Sequence, residues 1–242
     1  GGETAIRLAA AEGPRTLALF EHLVGEPPQE LVDIQATGRG LARLHRLAED
    51  YRGPASLYRL DLRHLLRRPL AWLLESPNVD AAMASEFGAI ADRLEARIDG
   101  FSKLSGVHCH GDCHGGNNFV VTDAQGQRVA WFFDFDDAGP GFVAYDLAVF
   151  LWSQHLGKSE LDAPAREKYA RYLGAYVRER ELPQADLAAI AAFVPVRHLW
   201  FMGEHATRRH EWGSQSLPPA WLRKQLDVLR GWESLVTPEP AP

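Results

Sequence analysis

One stretch, His108 to Trp152, constrains this chain more than any other. It opens with His110-Gly111-Asp112, and Asn117 follows the aspartate by five residues. Phe119 to Thr122 and Arg128 to Phe133 then read as strands, joined by the turn sequence Asp123-Ala124-Gln125-Gly126. The second strand delivers Asp134-Phe135-Asp136-Asp137. Any fold that hosts this stretch must bring the loop after a short strand, Val107 to His110, up against the exit of a hairpin. An acid, an amide and a second acid so spaced are what phosphoryl transfer needs. One carboxylate orients a hydroxyl, while an amide oxygen and another carboxylate hold magnesium under the phosphates.

The remaining pattern is mostly helical. Thr4 to Ala10 and Thr16 to Val24 read as two strands around the turn Glu12-Gly13-Pro14, the second of them buried. Leu31, Ile34, Gly38, Leu41, His45 and Ala48 share one face of an amphipathic helix, with Gly38 admitting a close neighbour. From Gly53 to Gly106 the chain reads as helix only: Asp61 caps Leu62–Leu66, Pro69 restarts the helix, and Val79 to Ile98 form a longer one. Their Met and aromatic stripe reads as core packing. Helices resume at Asp146, over 165–180, over 185–212 with a bend at Pro195, and over 219–236. The tail from Thr237 to Pro242 is expected to fray.

Composition narrows the partners. A net charge of −6 argues against non-specific nucleic-acid binding, which depends on neutralising phosphates. The chain's two cysteines, Cys109 and Cys113, give no disulfide framework, so a reducing, cytoplasmic compartment is expected. No apolar run approaches the ~20 residues of a membrane helix, so no membrane partner is expected.

Roles follow from chemistry. Asp112 accepts the acceptor hydroxyl's proton and aims it at the γ-phosphate; Asn117 and Asp134 offer oxygens to Mg²⁺, which prefers hard donors. Each alone reads as a turn-stabilising Asx residue; their joint order favours the site. Asp136 is either a further metal ligand or a loop-holding residue, Asp137 is structural or substrate-facing, and His110 positions the loop. Asp146 opens a helix, so N-capping is its local explanation. The competing chemistry is zinc: His108, Cys109, His110, Cys113 and His114 crowd together, but no second Cys pair completes a structural site.

His110-Gly111-Asp112-Cys113-His114-Gly115-Gly116-Asn117 resembles the H-G-D-x-H-x-G-N motif of the aminoglycoside phosphotransferase and choline kinase-like superfamily. Phe133 to Ala148 resembles that family's I-D-W-G-x-A-G-x-G-D-P-x-x-D-L-A, and Gly40 to His45 its helix after the hinge. The Asp-x-Asp-Asp form, with Arg197 leading a Leu-Trp-Phe-rich helix, is most similar to the bacterial stress-response Ser/Thr protein kinase group. The resemblance implies an α+β, protein kinase-like fold. Residues 1–24 would be a remnant of the N-terminal lobe with the hinge strand, 25–236 a helical C-terminal lobe with a catalytic hairpin, and 237–242 a flexible tail. By the same resemblance Asp146 would brace the catalytic loop and Phe20 would back the adenine. The backbone of Glu21 and Leu23 would hydrogen-bond the adenine edge.

A kinase also needs a Gly-rich phosphate loop and a strand lysine ahead of the hinge, yet the first lysine here is Lys103. The chain is therefore expected to be a fragment or a degenerate relative, and inactive or nearly so alone. Residues 184–242 balance six acids against six Arg/Lys, which weakly disfavours a polycationic antibiotic as acceptor. Aromatics around His198–Met202 and Trp212 either line an acceptor pocket or are core. The expected function is ATP- and Mg²⁺-dependent phosphotransfer to a hydroxyl, on a small-molecule alcohol or protein Ser/Thr. The alternative is a pseudokinase-like binding module.

Overall fold

The computed structural model describes residues 5–20, 22–158, 160–213 and 217–242, with Trp212 described by its backbone alone. The architecture is α+β, as expected, with three two-stranded antiparallel sheets set around a helical body. β1 (Ala5–Ala10) and β2 (Gly13–Ala18) form a hairpin in which Ala5 pairs with Ala18 and Ala10 with Gly13. The expected buried strand Thr16–Val24 stops at Ala18, and its apolar side chains face out: Leu17 is 53 % and Phe20 84 % exposed. A ribbon of two strands needs a covering layer to bury a face, and no other described element packs broadly on this one.

α1 (Leu31–Ala48) forms where the apolar spacing predicts it, opened by a reciprocal capping box between Glu30 and Asp33. Its buried face lies on α5 (Ala163–Glu179). The approach is so close at Gly38 that a Cβ would stand 2.1 Å from the Tyr172 carbonyl oxygen.

Residues 53–60, expected as helix, run irregularly instead, and Leu60 bridges to Gly141 in a strand that the sequence pattern missed. That strand, β6 (Gly139–Phe142), pairs with β3 (Gly106–Cys109). Its Gly-Pro-Gly sequence carries no strand propensity, so pairing between distant segments makes it. The Asp61 carboxylate accepts the His64 N–H and starts a π-helical turn, Arg63–Arg67, which runs into α2 (Arg68–Leu74) with Pro69 in its first turn. Asp80 caps α3 (Ala81–Asp99) through the Met83 N–H at 2.8 Å. β4 (Asn118–Thr122) and β5 (Arg128–Phe132) make the expected hairpin, and β4 also bridges to Glu26.

Two helices form the centre. α4 (Val143–His155) is buried from Val143 through Trp152, and α6 (Gln184–Thr207) from Ala189 through Leu199. α6 is long and apolar enough to cross a membrane, but here it is mostly buried against α2, α3 and α4. It continues through Pro195. α7 (Arg209–Trp212) and α8 (Pro219–Trp232) follow. The tail, expected to fray, lies along α5 instead: the Ala241 N–H donates to the Ala170 carbonyl at 2.8 Å, and Arg178 donates to the Ala241 carbonyl.

Candidate active site

Asp112 sits on the loop that leaves β3, between the body and the hairpin. The loop is tied from below by one carboxylate. Asp146, fully buried in the first turn of α4, accepts the backbone N–H groups of His110 at 2.7 Å and Gly111 at 2.8 Å. It is not the N-cap, a place held by Phe142. N-capping as its local explanation is corrected; the side chain reaches sideways to the loop. His45 of α1 completes the brace: its Nε2–H donates to Asp146 at 2.9 Å, and its Nδ1 accepts from the Tyr176 hydroxyl at 2.8 Å. Burial alone would raise the Asp146 pKa. Hydrogen bonding from His45 first, then the electrostatic pull of the His45 and His110 rings and the Gly111 N–H, hold it below the ordinary value.

Gly111 makes the sharp turn before the aspartate. Its φ is +87°, and a Cβ there would meet the Asp137 carbonyl oxygen at 2.1 Å. His110 spends both ring nitrogens on the loop: Nδ1 accepts the Asp112 N–H at 3.3 Å, and Nε2–H donates to the Phe133 carbonyl at 3.0 Å. Neither nitrogen is left to act as a base. The ring also packs on Phe135, with centroids 4.4 Å apart.

The Asp112 carboxylate is held from two sides. Asn117 Nδ2 donates to Oδ2 at 3.1 Å and to the Asp112 carbonyl at 2.9 Å, while Arg197 of α6 donates to Oδ1 at 2.5 Å. His114 stands beside it, Nε2 to Oδ2 at 3.6 Å, and burial lowers its pKa against the pull of Asp112. With its N–H groups turned to Asp112, Asn117 keeps its amide oxygen as an acceptor. Asp134, at the exit of β5 with φ +63°, has an exposed carboxylate with no hydrogen bond or ion pair among the described residues. The Asp136 side chain is similarly uncommitted, though its backbone carbonyl accepts from the Tyr58 hydroxyl at 2.6 Å. Hard oxygens left without internal partners are the donor set a divalent cation such as Mg²⁺ takes.

Asp134 and Asp136 also line a cavity of about 980 Å³ with Phe20, Leu23, Val24, Val121 and Trp131. Leu23 is half-buried there, and its backbone N–H and C=O make no hydrogen bond among the described residues. Glu21, expected to share the adenine edge, lies outside the described residues.

Residues that sequence reading left without a chemical role also converge here. Arg197 is 3 % exposed and pairs with Asp112; its signal was a lone arginine in an apolar helical run. Tyr58 reaches Asp137 at 3.3 Å, and burial raises the tyrosine pKa to about 12. Burial, then Asp112 and Asp134, push the Asp137 carboxyl up against the opposing Arg197. Of the residues that could suggest zinc, only Cys109 joins a group of three candidate ligands among the described residues. Cys109, His45 and Asp146 bring ligand atoms within 4.8 Å of one another, but the His45–Asp146 hydrogen bond and two backbone N–H groups already occupy the carboxylate.

A helical body, the Asp112 loop and a hairpin acid in this arrangement define a protein kinase-like phosphotransferase fold. The chain belongs to the phosphotransferase enzyme family, whose model matches residues 5–192. An uncharacterized protein of Deinococcus radiodurans is 39 % identical over 228 residues, covering 93 % of this chain and 65 % of that protein. The chain thus spans somewhat under two thirds of that relative. Among solved structures, a microcompartment-associated aminopropanol kinase superposes with a TM-score of 0.69 at 24 % identity, over 97 % of this chain and 71 % of its own. The amicoumacin kinase hAmiN, in complex with AMP-PNP, Ca²⁺ and Ami, gives 0.72 at 20 %, over 100 % and 72 %. A choline kinase of Streptococcus pneumoniae gives 0.59 at 15 %, over 96 % and 75 %.

Proposed function

We propose that the protein moves the γ-phosphoryl group of ATP onto the hydroxyl of an acceptor, with Asp112 as the group that orients and deprotonates it. The observation that carries this reading is the Asp112 carboxylate, fixed from two sides within a loop that also presents Asn117 and adjoins Asp134. Asp112 accepts the hydroxyl's hydrogen bond, turns its oxygen toward the γ-phosphorus and takes the proton as the new P–O bond forms and the bond to ADP breaks. Asn117 and Asp134, with Asp136 as a further donor, would hold Mg²⁺; the ion, when bound, neutralises charge on the phosphates. The cavity beside Leu23 would take the adenine. A cytoplasmic setting, where ATP is supplied, completes the proposal.

Neighbours named as kinases of aminopropanol and choline support a small-molecule alcohol as acceptor; a protein Ser/Thr would use the same chemistry. One local feature bears on the choice. The ring faces of Tyr58 and Trp72 lie under Arg68, and those of Trp152 and Trp200 under Arg197. One face of each of these four rings is therefore occupied by the protein's own cations.

The test is transfer of labelled γ-phosphate from Mg-ATP to a panel of alcohols and Ser/Thr peptides. Asp112→Asn is expected to lower turnover ~10²–10⁴-fold while ATP binding stays intact. Full activity in that variant would remove Asp112 from the role, and nucleotide binding without transfer to any acceptor would favour the binding-module alternative.

A further inference from the structure

We propose that Arg197 is a positioning residue for phosphoryl transfer, holding the Asp112 carboxylate in the one orientation in which it meets the acceptor hydroxyl. The proposal rests on the phosphotransfer reading and concerns the same site.

Arg197 Nη2 donates to Asp112 Oδ1 while Asn117 Nδ2 donates to Oδ2. A carboxylate held by donors on both oxygens has little freedom about its Cβ–Cγ bond, and its remaining lone pairs point in fixed directions. Arg197 is itself held. Its guanidinium carbon lies 4.1 Å from the Trp200 ring centroid and 4.9 Å from that of Trp152. The Trp152 indole N–H donates to His198 Nδ1 at 3.1 Å, and His198 Nε2–H donates to Gln225 Oε1 at 2.9 Å. Contacts therefore run unbroken from α8 through α6 and α4 to the aspartate.

Stability does not explain a charge at this place. Tyr145 lies beside the guanidinium, but among the described residues Arg197 Nε and Nη1 are buried without a hydrogen bond of ordinary geometry. A buried guanidinium so incompletely satisfied is generally no better for stability than an apolar side chain of similar volume. Its partner, with 19 % of its side chain exposed, would remain reachable by water if the arginine were removed. What the arginine adds is direction. Lysine lacks the planar fork and the flat face that stacks on indole, so it is not an equivalent.

Two measurements on the full-length protein decide the matter. In ¹⁵N-labelled protein, Arg197, assigned by its loss in Arg197→Lys, should show separate, slowly averaging Nη protons that collapse in Asp112→Asn. Averaged Nη protons in the wild type would overturn the proposal. In steady-state ATP hydrolysis with water as acceptor, Arg197→Met should lower kcat about 100-fold with KM for ATP within about twofold. Arg197→Lys should recover only part of the rate, and neither variant should melt lower than the wild type by more than a few degrees. Wild-type kcat in Arg197→Met would also overturn it. A wild type that shows the Nη signature yet never hydrolyses ATP would count against the phosphotransfer reading instead, and would reduce Arg197 to a structural clamp on Asp112.

Discussion

Asp146 shows how much one buried side chain can organise. A single carboxylate joins α1, the Asp112 loop and α4 through His45 and two backbone N–H groups. Above it, the loop turns back at Gly111 because only glycine fits a φ of +87° with the Asp137 carbonyl against its α-carbon. Gly111→Ala should therefore displace Asp112 and cost stability together, by about 1–3 kcal/mol from strain and steric overlap. Chemical denaturation paired with a transfer assay checks this; an alanine variant with unchanged midpoint and rate would show that the loop has room the geometry denies. Residue chemistry of this kind was partly legible. Asp112, Asn117 and Asp134 announce themselves by type and spacing. Arg197 and Tyr58 do not, because their roles arise from contacts across 85 and 79 residues of chain.

At the scale of elements, the helices with clear caps and apolar periodicity, α1, α3 and α5, lie within a few residues of where the sequence puts them. β6 and the irregular run that ends at Leu60 were missed because long-range pairing, of β6 with β3 and of Leu60 with Gly141 in β6, sets their conformation, not local propensity. Helix packing also buries three histidines: His64 after Asp61, His155 at the end of α4 and His198 in α6. Burial lowers all three to about 4 from an ordinary 6.5. Their folded pKa values lie below the unfolded one, so the stability they support is complete above pH 6.5 and is lost as pH falls toward 4. The limit is on the order of 3 kcal/mol each if fully realised. Melting temperature should be level from pH 7 to 8 and fall steadily between 6.5 and 4, less steeply in His155→Phe. A level profile across that window would mean that these rings accept protons without disturbing the helices. Asp146, depressed below its ordinary value, adds its own loss only at more acidic pH.

For the whole molecule, the helical body is dense and self-contained, while the hairpin side is open. Phe20 and Trp131, which line the 980 Å³ cavity, are more than 40 % exposed, as are Ile6, Leu8 and Leu17 of the β1–β2 hairpin. The body was readable because each of the helices that make its core carries its own apolar period. The open side was misread as a buried strand because its apolar residues imply a cover that the described residues do not supply. On the proposed reading, the acids facing this cavity hold the divalent ion of a phosphotransfer site. Mn²⁺ added with AMP-PNP to ¹⁵N-labelled protein tests it most directly. Paramagnetic broadening should centre on the amides around Asn117 and Asp134, and Asp134→Asn should weaken it strongly. Broadening centred on His45, Cys109 and Asp146, or none beyond the bulk effect of free Mn²⁺, would show that Asn117 and Asp134 do not hold the ion.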